Sequence, residues 1–433
     1  MAEIKIHRGT QEIGGSCVEI WTDSTRIVID FGMPLVNPDG TKFDSRANDK
    51  LSIETLIDRG ILPTIEGLYD GSSDLSLLLS HAHQDHYGFF KYVSNKCKIY
   101  LGVTSKKLIE LTNIFTNQDW KISNFQHFKS GKSFRIGDIE ITPFLMDHSA
   151  YDAYAFLIKA DGKLLLYSGD FRIHGRKQKV FEYFKHNVDK NIDYLLLEGT
   201  TVGRVDESFP TETDIENDFV DTFKKNKGIN LIYTSGQNID RLVSIYRACI
   251  KTGKTLAVDF YIANVLKEMA EFNDRIPHPS DGFNKLKVFF PDRLSERIKR
   301  YGDKNLMDQF NKYEISIEQI AKQYNRIAMI VRPNMLEDLE NIKLENGIFI
   351  YSMWKGYQEE TYTKDFIANL ISRGMTKRHI HTSGHADQKA LQRMIDATNP
   401  KYIIPIHTFN AKDYQKHFKN LVKVLKDGET FFC

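Results

Sequence analysis

One short segment limits what this chain can become more than any other. The apolar run Leu75–Leu79, broken only by Ser76, reads as a buried strand of a sheet covered on both faces. It empties into Ser80-His81-Ala82-His83-Gln84-Asp85-His86-Tyr87-Gly88, which carries four metal-capable side chains within six residues. In an extended loop His81 and His83, at i and i+2, turn their imidazoles to one side. Asp85 and His86 then come from the turn that closes the loop and can serve a second ion. Imidazole nitrogens with a carboxylate oxygen suit zinc, and an open position on such an ion activates water. A surface loop that is His-rich by accident is the ordinary alternative, and the rest of the chain argues against it.

Four later strands end in the same manner. The hairpin Phe134–Phe144, turning at Gly137-Asp138, leads to Asp147-His148. A second hairpin turns at Asp161-Gly162, and its returning strand Lys163–Tyr167 ends in Ser168-Gly169-Asp170. The strand Tyr194–Leu197 ends in Glu198-Gly199-Thr200, and near the C-terminus Tyr402–Pro405 is followed by Ile406-His407. An earlier strand, Arg26–Ile29, ends at Asp30, which can support the site from behind or simply form a turn. A binuclear site needs about six ligand side chains and one that is shared. His81, His83 and His148 suit one ion, and Asp85, His86 and His407 the other. Asp170 is the candidate bridge, because a carboxylate can hold two cations and an imidazole cannot. Glu198 and His385 remain as a proton-transfer pair, the carboxylate orienting a histidine that protonates a leaving group. With Asp85 they form the set of catalytic candidates.

Between these strand ends the texture changes. Residues 205–358 read as an α/β unit of their own, in which short apolar strands alternate with helices. Thr213-Asp214-Ile215-Glu216 predicts a capping box at its first helix. The flanking parts, 1–204 and 359–433, then form one domain interrupted by that insert. The 59 basic and 57 acidic residues leave a net charge of +2, so any basic groove is local and charge alone selects no partner. The four cysteines, Cys17, Cys97, Cys249 and Cys433, are scattered and predict reduced thiols in a cytoplasmic protein. No signal-peptide core and no apolar run of membrane-spanning length is present, so no membrane partner is expected.

The motif H-x-H-x-D-H with a later His, Asp and His resembles the metallo-β-lactamase superfamily. The insert points more narrowly to its β-CASP branch of nucleases. The resemblance implies a four-layer αββα fold with an inserted β-CASP α/β domain. It implies that Glu198 matches the acidic motif of that branch, His385 its second motif and His407 its third, a histidine there marking members that act on RNA. His381-Thr382-Ser383-Gly384-His385-Ala386 is similar to a segment that binds the 5′-phosphate of RNA in the ribonuclease J members. Ser235-Gly236-Gln237-Asn238-Ile239-Asp240-Arg241 stands where those members carry S-N-x-H-R, with Asp240 in place of the histidine. His381, Thr382, Ser383, Gly384, Ser235, Asn238 and Arg241 are therefore the substrate-binding candidates. A Gly-containing turn before a helix near Asp387 is also an anion site in its own right.

The expected function is a metal-dependent hydrolase with two zinc ions, manganese being the alternative metal. It would cut phosphodiesters of single-stranded RNA rather than DNA, with removal of nucleotides from the 5′ end as one mode. Tyr87, Phe89, Trp354 and Tyr357 are candidates for stacking bases. The rival readings are a hydrolase of a small ester or thioester and a nuclease-like scaffold subunit without activity. Oligomeric state is open, with a homodimer among the options.

Overall fold

The structure is a computed structural model that describes residues 2–37, 41–204, 208–419 and 421–432. Cys433 lies outside these residues, as do 205–207, where the insert was expected to begin. The first strands are Glu3–Arg8 (β1), Cys17–Trp21 (β2), Arg26–Ile29 (β3), Ser76–Leu78 (β4), Lys98–Leu101 (β5) and Phe125–His127 (β6). A second group comprises Phe134–Ile136 (β7), Ile139–Met146 (β8), Ala153–Ala160 (β9), Lys163–Tyr167 (β10) and Tyr194–Glu198 (β11). A third comprises Asn230–Tyr233 (β12), Thr255–Asp259 (β13), Leu286–Phe289 (β14), Ile327–Ile330 (β15), Ile348–Tyr351 (β16) and Thr376–His379 (β17). The chain closes with Tyr402–Ile406 (β18), Leu421–Val422 (β19) and Thr430–Phe432 (β20).

Three sheets result. The orders are β20-β1-β2-β3-β4-β5-β6, then β19-β18-β11-β10-β9-β8-β7, then β14-β13-β15-β12-β16-β17. Alternation along each strand explains why the first two sheets stack. In β3, Ile27 and Ile29 face the second sheet while Val28 faces away, and in β11 Leu196 faces inward while Leu195 and Leu197 face out. Period-two patterning on strands that are apolar on both sides needs cover on both faces. Helices supply it: Val103–Thr116 and its neighbours on the first sheet, Gln178–Asn187 and Gln388–Thr398 on the second. The order is helix, sheet, sheet, helix, as the resemblance implied.

The third sheet is parallel throughout. One of its apolar faces merges with the cover of the first sheet, since Leu108 and Phe115 belong to one core with Phe260 and Ile262. The insert is thus packed onto the first domain rather than tethered to it.

Two local expectations shift. The capping box is formed by Thr211 and Asp214, two residues earlier than the sequence pattern predicts, and opens the helix Glu212–Lys225. The division expected at 358/359 does not coincide with a sheet boundary. The helix Thr361–Ser372 and β17 belong to the third sheet's layer, β17 pairing with β16 from Thr376 to His379. Its sequence, Thr-Lys-Arg-His, has no apolar pattern because it is an edge strand half open to water.

Candidate metal centre

Strands β8, β10, β11 and β18 run in one direction, the antiparallel β9 intervening, so their carboxyl ends share one rim. From that rim come His148, Asp170, Glu198 and His407. Parallel β3 and β4 bring Asp30 and the loop from Ser80 to the same place. The sequence order of the strands scatters these residues over more than 300 positions, and the two stacked sheets collect them.

Local backbone detail aims each side chain. His83 is the last extended residue before a single helical turn, Gln84–Tyr87, which carries Asp85 and His86. That turn is laid against residues 31–33 by Phe31 N–H donating to the His86 carbonyl (2.8 Å) and Met33 N–H to that of Gln84 (2.9 Å). Gly32 permits the contact, because a Cβ there would stand 1.6 Å from the Asp85 carbonyl oxygen. Asp30 (φ 59°) and His407 (φ 52°) both occupy the left-handed region, a conformation non-glycine residues take only when the surroundings enforce it. For His407 the restraint is its N–H donated to the Gly9 carbonyl at 2.6 Å.

The result is centred on one atom. Asp170 Oδ2 lies 3.2 Å from His86 Nε2, 3.8 Å from His81 Nε2, 4.0 Å from His148 Nε2 and 3.7 Å from His407 Nε2. His385 Nδ1 is 3.6 Å away on the remaining side. On one flank His83 Nδ1 stands 3.2 Å from both His81 Nε2 and His148 Nε2. Nitrogens about 3.3 Å apart are what a tetrahedral zinc with bonds of about 2.0–2.1 Å requires. On the other flank Asp85 Oδ2 is 3.7 Å from His407 Nε2 and 4.0 Å from His86 Nε2. The sets His81/His83/His148 and Asp85/His86/Asp170/His407 each bring their donor atoms within 4.8 Å of one another, as does Asp170/Glu198/His385.

Charge and burial make the histidines donors. Burial, helped by neighbouring imidazoles, holds His81 and His148 well below the usual range, and burial takes His83 down to about 4. Burial lowers His407 as well. In these four rings the shift favours the neutral form whose lone pair metal binding demands, whereas Asp170 and Asp30, against burial, raise the proton affinity of His86. His407 Nε2 is buried without a hydrogen-bond partner among the described residues, as is His385 Nδ1. Buried polar atoms are seldom left so, and a cation beside His407 satisfies its nitrogen. The donor set therefore fits a pair of divalent ions.

A further layer fixes ring orientation. Asp30 Oδ2 accepts from His86 Nδ1 (2.7 Å) and the Tyr167 hydroxyl (2.7 Å), and Asp30 Oδ1 from Ser80 N–H (2.7 Å). His148 Nδ1 donates to the Gly384 carbonyl at 2.6 Å, and His407 Nδ1 pairs with Ser16 Oγ at 2.9 Å. Such partners fix the tautomer and strengthen the ligand. The Gly384 carbonyl and Ser16 were not anticipated from sequence, because nothing in a backbone oxygen or a lone serine announces such a role.

Glu198 accepts Ala386 N–H (3.2 Å) and Phe171 N–H (3.4 Å) on Oε1 and Thr200 N–H (3.1 Å) on Oε2. It faces His385 Nδ1 at 3.6 Å. Burial opposes a charge on His385, yet Asp170 and Glu198 outweigh it and raise the ring's affinity for a proton. His385 and Asp85 are 22% exposed and His83 is half-buried, whereas His81, His86, His148, Asp170 and His407 are at 1% or below, so solvent and substrate meet the centre on that side.

The other candidates fall elsewhere. Arg241 does not face a substrate: it is fully buried, with Nη2 on Glu212 (3.0 Å) and Nη1 on the Ser352 carbonyl (3.2 Å). A guanidinium so committed and fully buried is not open to a phosphate. Asn238 caps the helix Ile239–Thr252, and Ser235 Oγ accepts from Gln237 N–H at 3.3 Å. Thr382 Oγ1 donates to the Pro210 carbonyl (2.6 Å), and Ser383 Oγ accepts from His385 N–H (3.0 Å). His381 stands apart from the metal cluster beside His379, and burial takes it down to about 3. Tyr87 and Phe89 are core residues at 3% and 2% exposure, so they offer no face to a base. Trp354 and Tyr357 are open at 49% and 39%, packed edge to face at 5.3 Å.

With this geometry in view, the comparisons with known proteins are direct. Residues 71–215 match the Beta-lactamase superfamily domain, and 371–429 match the Zn-dependent metallo-hydrolase RNA specificity domain. The chain belongs to the metallo-β-lactamase superfamily, in its β-CASP branch. Within it the chain is ribonuclease J-like. It is 24% identical to Ribonuclease J of Mycoplasma genitalium over 92% of this chain and 66% of that one. To Ribonuclease J of Helicobacter pylori (strain ATCC 700392 / 26695) it is 23% identical, spanning 55% of that protein. The chain thus spans less than two thirds of these relatives. An RNase J-like protein of Methanocaldococcus jannaschii is 23% identical, with 94% of this chain and 92% of that one covered. A crystal structure of a protein of unknown function from Enterococcus faecalis V583 has the same fold, with a TM-score of 0.79 at 21% identity and 99% of both chains covered. Among the described residues no helix is long and apolar enough to cross a membrane.

Proposed function

We propose that the protein is a zinc-dependent ribonuclease that hydrolyses phosphodiester bonds of single-stranded RNA. The observation that carries this reading is the position of Asp170 Oδ2 between two imidazole groups and within 3.6 Å of a histidine that has its own carboxylate. His81, His83 and His148 would hold one zinc ion, and Asp85, His86 and His407 the second, with Asp170 shared. Zinc bound there supplies Lewis-acid polarisation and activation of water near neutral pH. The chain's own residues do the rest. His385, whose proton affinity Asp170 and Glu198 raise against burial, delivers a proton to the departing ribose oxygen, a poor leaving group without one. Glu198, held by three backbone N–H groups, keeps that ring in place. Trp354 and Tyr357 offer faces on which an unpaired base stacks, and the Arg204 guanidinium, 5.8 Å from the Trp354 ring, supplies nearby positive charge.

A scaffold without activity does not account for neutral, unpartnered metal donors. A hydrolase of small esters needs neither the His385–Glu198 pair nor the inserted domain. With the Thr382 hydroxyl already donated to the Pro210 carbonyl, a 5′-phosphate at residues 381–384 would be held by backbone amides and the Ser383 hydroxyl, and the turn's first role is to place His385 and His148. The buried thiols of Cys17, Cys97 and Cys249 accord with a cytoplasmic protein.

The test is one sequence supplied as RNA and as DNA, the RNA bearing a 5′-hydroxyl, monophosphate or triphosphate. Preferential cutting of RNA is expected. A strand of either sugar cut at equal rate removes the RNA assignment, and a rate that depends on the 5′-monophosphate establishes removal of nucleotides from that end.

A further inference from the structure

The inserted domain has a second place where strand ends converge, away from the metal centre. In its parallel sheet the chain leaves β12 toward β13 and β14 on one side and leaves β15 toward β16 and β17 on the other. Open parallel sheets bind ligands in the crevice at the carboxyl ends of strands where the order reverses in this way. Three strand ends meet there: Gly236 after β12, Asp259 ending β13 and Arg332 after β15. Arg332 Nε donates to Asp259 Oδ2 at 2.8 Å, and its guanidinium lies 5.4 Å from the Tyr261 ring. Its Nη2 is buried with no hydrogen-bond partner among the described residues. A Cβ at position 236 would stand 2.7 Å from that nitrogen, so glycine is what lets the guanidinium pass.

Beside it lies a cavity of about 260 Å³, between the insert and the helix Val103–Thr116, lined among others by Thr112, Thr116, Tyr261, Arg297, Arg332 and Asn334. None of its lining residues is acidic. Arg332 is balanced from behind by Asp259, whereas Arg297 donates to the Phe115 carbonyl and has no carboxylate at ion-pair distance among the described residues. The cavity is thus cationic, with the Asn334 amide beside the two guanidinium groups, Phe115, Leu294 and Met335 as its apolar wall and the Tyr261 ring as its floor; the Thr112 and Thr116 hydroxyls are donated within their own helix. Arg332 and Arg297 bring two guanidinium groups to the cavity wall, and a guanidinium favours a phosphate above other anions because its fork matches two oxygens at once. Ligand cavities run from about 300 to 1,000 Å³, so this one, at the small end, admits a ligand no larger than a mononucleotide and no chain segment.

We propose that this cavity binds a phosphomonoester of mononucleotide size, its phosphate on Arg332 and Arg297 and its ring against Tyr261. The site shares no residue with the metal centre and stands or falls independently of the nuclease reading.

Calorimetric titration of the zinc-loaded full-length protein with UMP, inorganic phosphate and uridine tests it. UMP binds most tightly, phosphate more weakly and uridine least. Arg332→Met lowers UMP affinity by about 10- to 100-fold, the worth of a charge-assisted hydrogen bond. Arg297→Gln, at the exposed rim, lowers it by about 2- to 5-fold. His385→Ala leaves it unchanged. Uridine binding as well as UMP overturns the proposal. So does UMP affinity that survives both arginine substitutions, or that is lost in His385→Ala, which would place the nucleotide at the metals. Should Arg332→Met fail to fold, Arg297→Gln and Asn334→Leu decide in its place, unchanged affinity in both being the overturning result.

Discussion

Two buried clusters of charge lie two residues apart along the chain, one around Asp170 and one around Arg172, and they are built on opposite plans. Asp170 is a single carboxylate among five imidazoles, two of which keep buried nitrogens without a partner. Arg172 is saturated. Its Nε meets Asp147 at 3.2 Å, Nη2 meets Asp240 at 2.7 Å, and Nη1 reaches Glu212 at 3.4 Å and the Ser383 carbonyl at 3.2 Å. Glu212 in turn holds Arg241 and accepts from Ser244 Oγ at 2.9 Å. The first cluster is incomplete without a cation and so is a site. The second is complete in itself and fastens the insert, through Glu212 and Asp240, to the loop that carries Asp170. It also explains Asp240, which stands where the ribonuclease J pattern has a histidine: its carboxylate is an internal partner of Arg172 and faces no phosphate.

The largest effect expected from breaking this contrast is at the incomplete cluster. Asp170→Ala removes the shared ligand, so zinc content drops for both ions together and activity falls by more than the about 10–100-fold typical of outer positions. Metal analysis showing two tightly held zinc ions in that variant would place the bridge elsewhere. Next comes His385→Ala, which keeps its zinc yet slows RNA hydrolysis by roughly 10²–10⁴-fold. A substrate with an activated leaving group suffers much less, and equal losses on both substrates would rule out proton donation.

At the saturated cluster the expected loss is of stability. Glu212→Ala leaves Arg241 and Arg172 short of a buried partner and costs about 3–5 kcal/mol in denaturant unfolding. The same carboxylate predicts acid sensitivity. Despite burial, the Arg241 and Arg172 guanidinium groups hold Glu212 at about 2, below its ordinary 4.5. A depressed acid stabilises the fold above its unfolded value, and that contribution fades as pH falls from 4.5 toward 2, by about 3 kcal/mol in all. Metal-free protein followed from pH 6 to pH 2 should show this slope, and Glu212→Gln should flatten it. A slope unchanged in the variant would assign acid lability to other groups. The smallest effect belongs to the exposed rim. Trp354→Ala should weaken binding of a single strand by about 1–3 kcal/mol without altering zinc content. Unaltered affinity would leave Trp354 as surface only.

The cluster of candidate metal donors was legible because its chemistry is local. His81, His83, Asp85 and His86 announce themselves by type and spacing, and His148, Asp170 and His407 by standing just past apolar strands, where α/β folds place function. The helix-sheet-sheet-helix order was legible through the family resemblance that those motifs carry, and period-two burial on both faces of the strands accords with it. Residues without a distinctive type were not. Arg241 was expected at a substrate because arginine suits phosphate, but sequence does not say which carboxylate will lie beside it, and Glu212 does. Strand β17 was missed because an edge strand needs no apolar pattern, only a neighbour's free backbone.

By itself, then, the sequence determined which atoms can bind metal, which strands must be covered on both faces, and that an α/β unit interrupts the first domain. Tertiary structure alone decided that Asp170 Oδ2 would lie within 4.0 Å of all five histidines, that the Gly384 carbonyl would orient His148, and that Arg172 would be filled and Arg332 left with a free donor. The physical reason is range. Ligand type and strand periodicity are properties of a few consecutive residues, whereas saturation of a buried charge depends on partners from distant segments that meet only when the layers close.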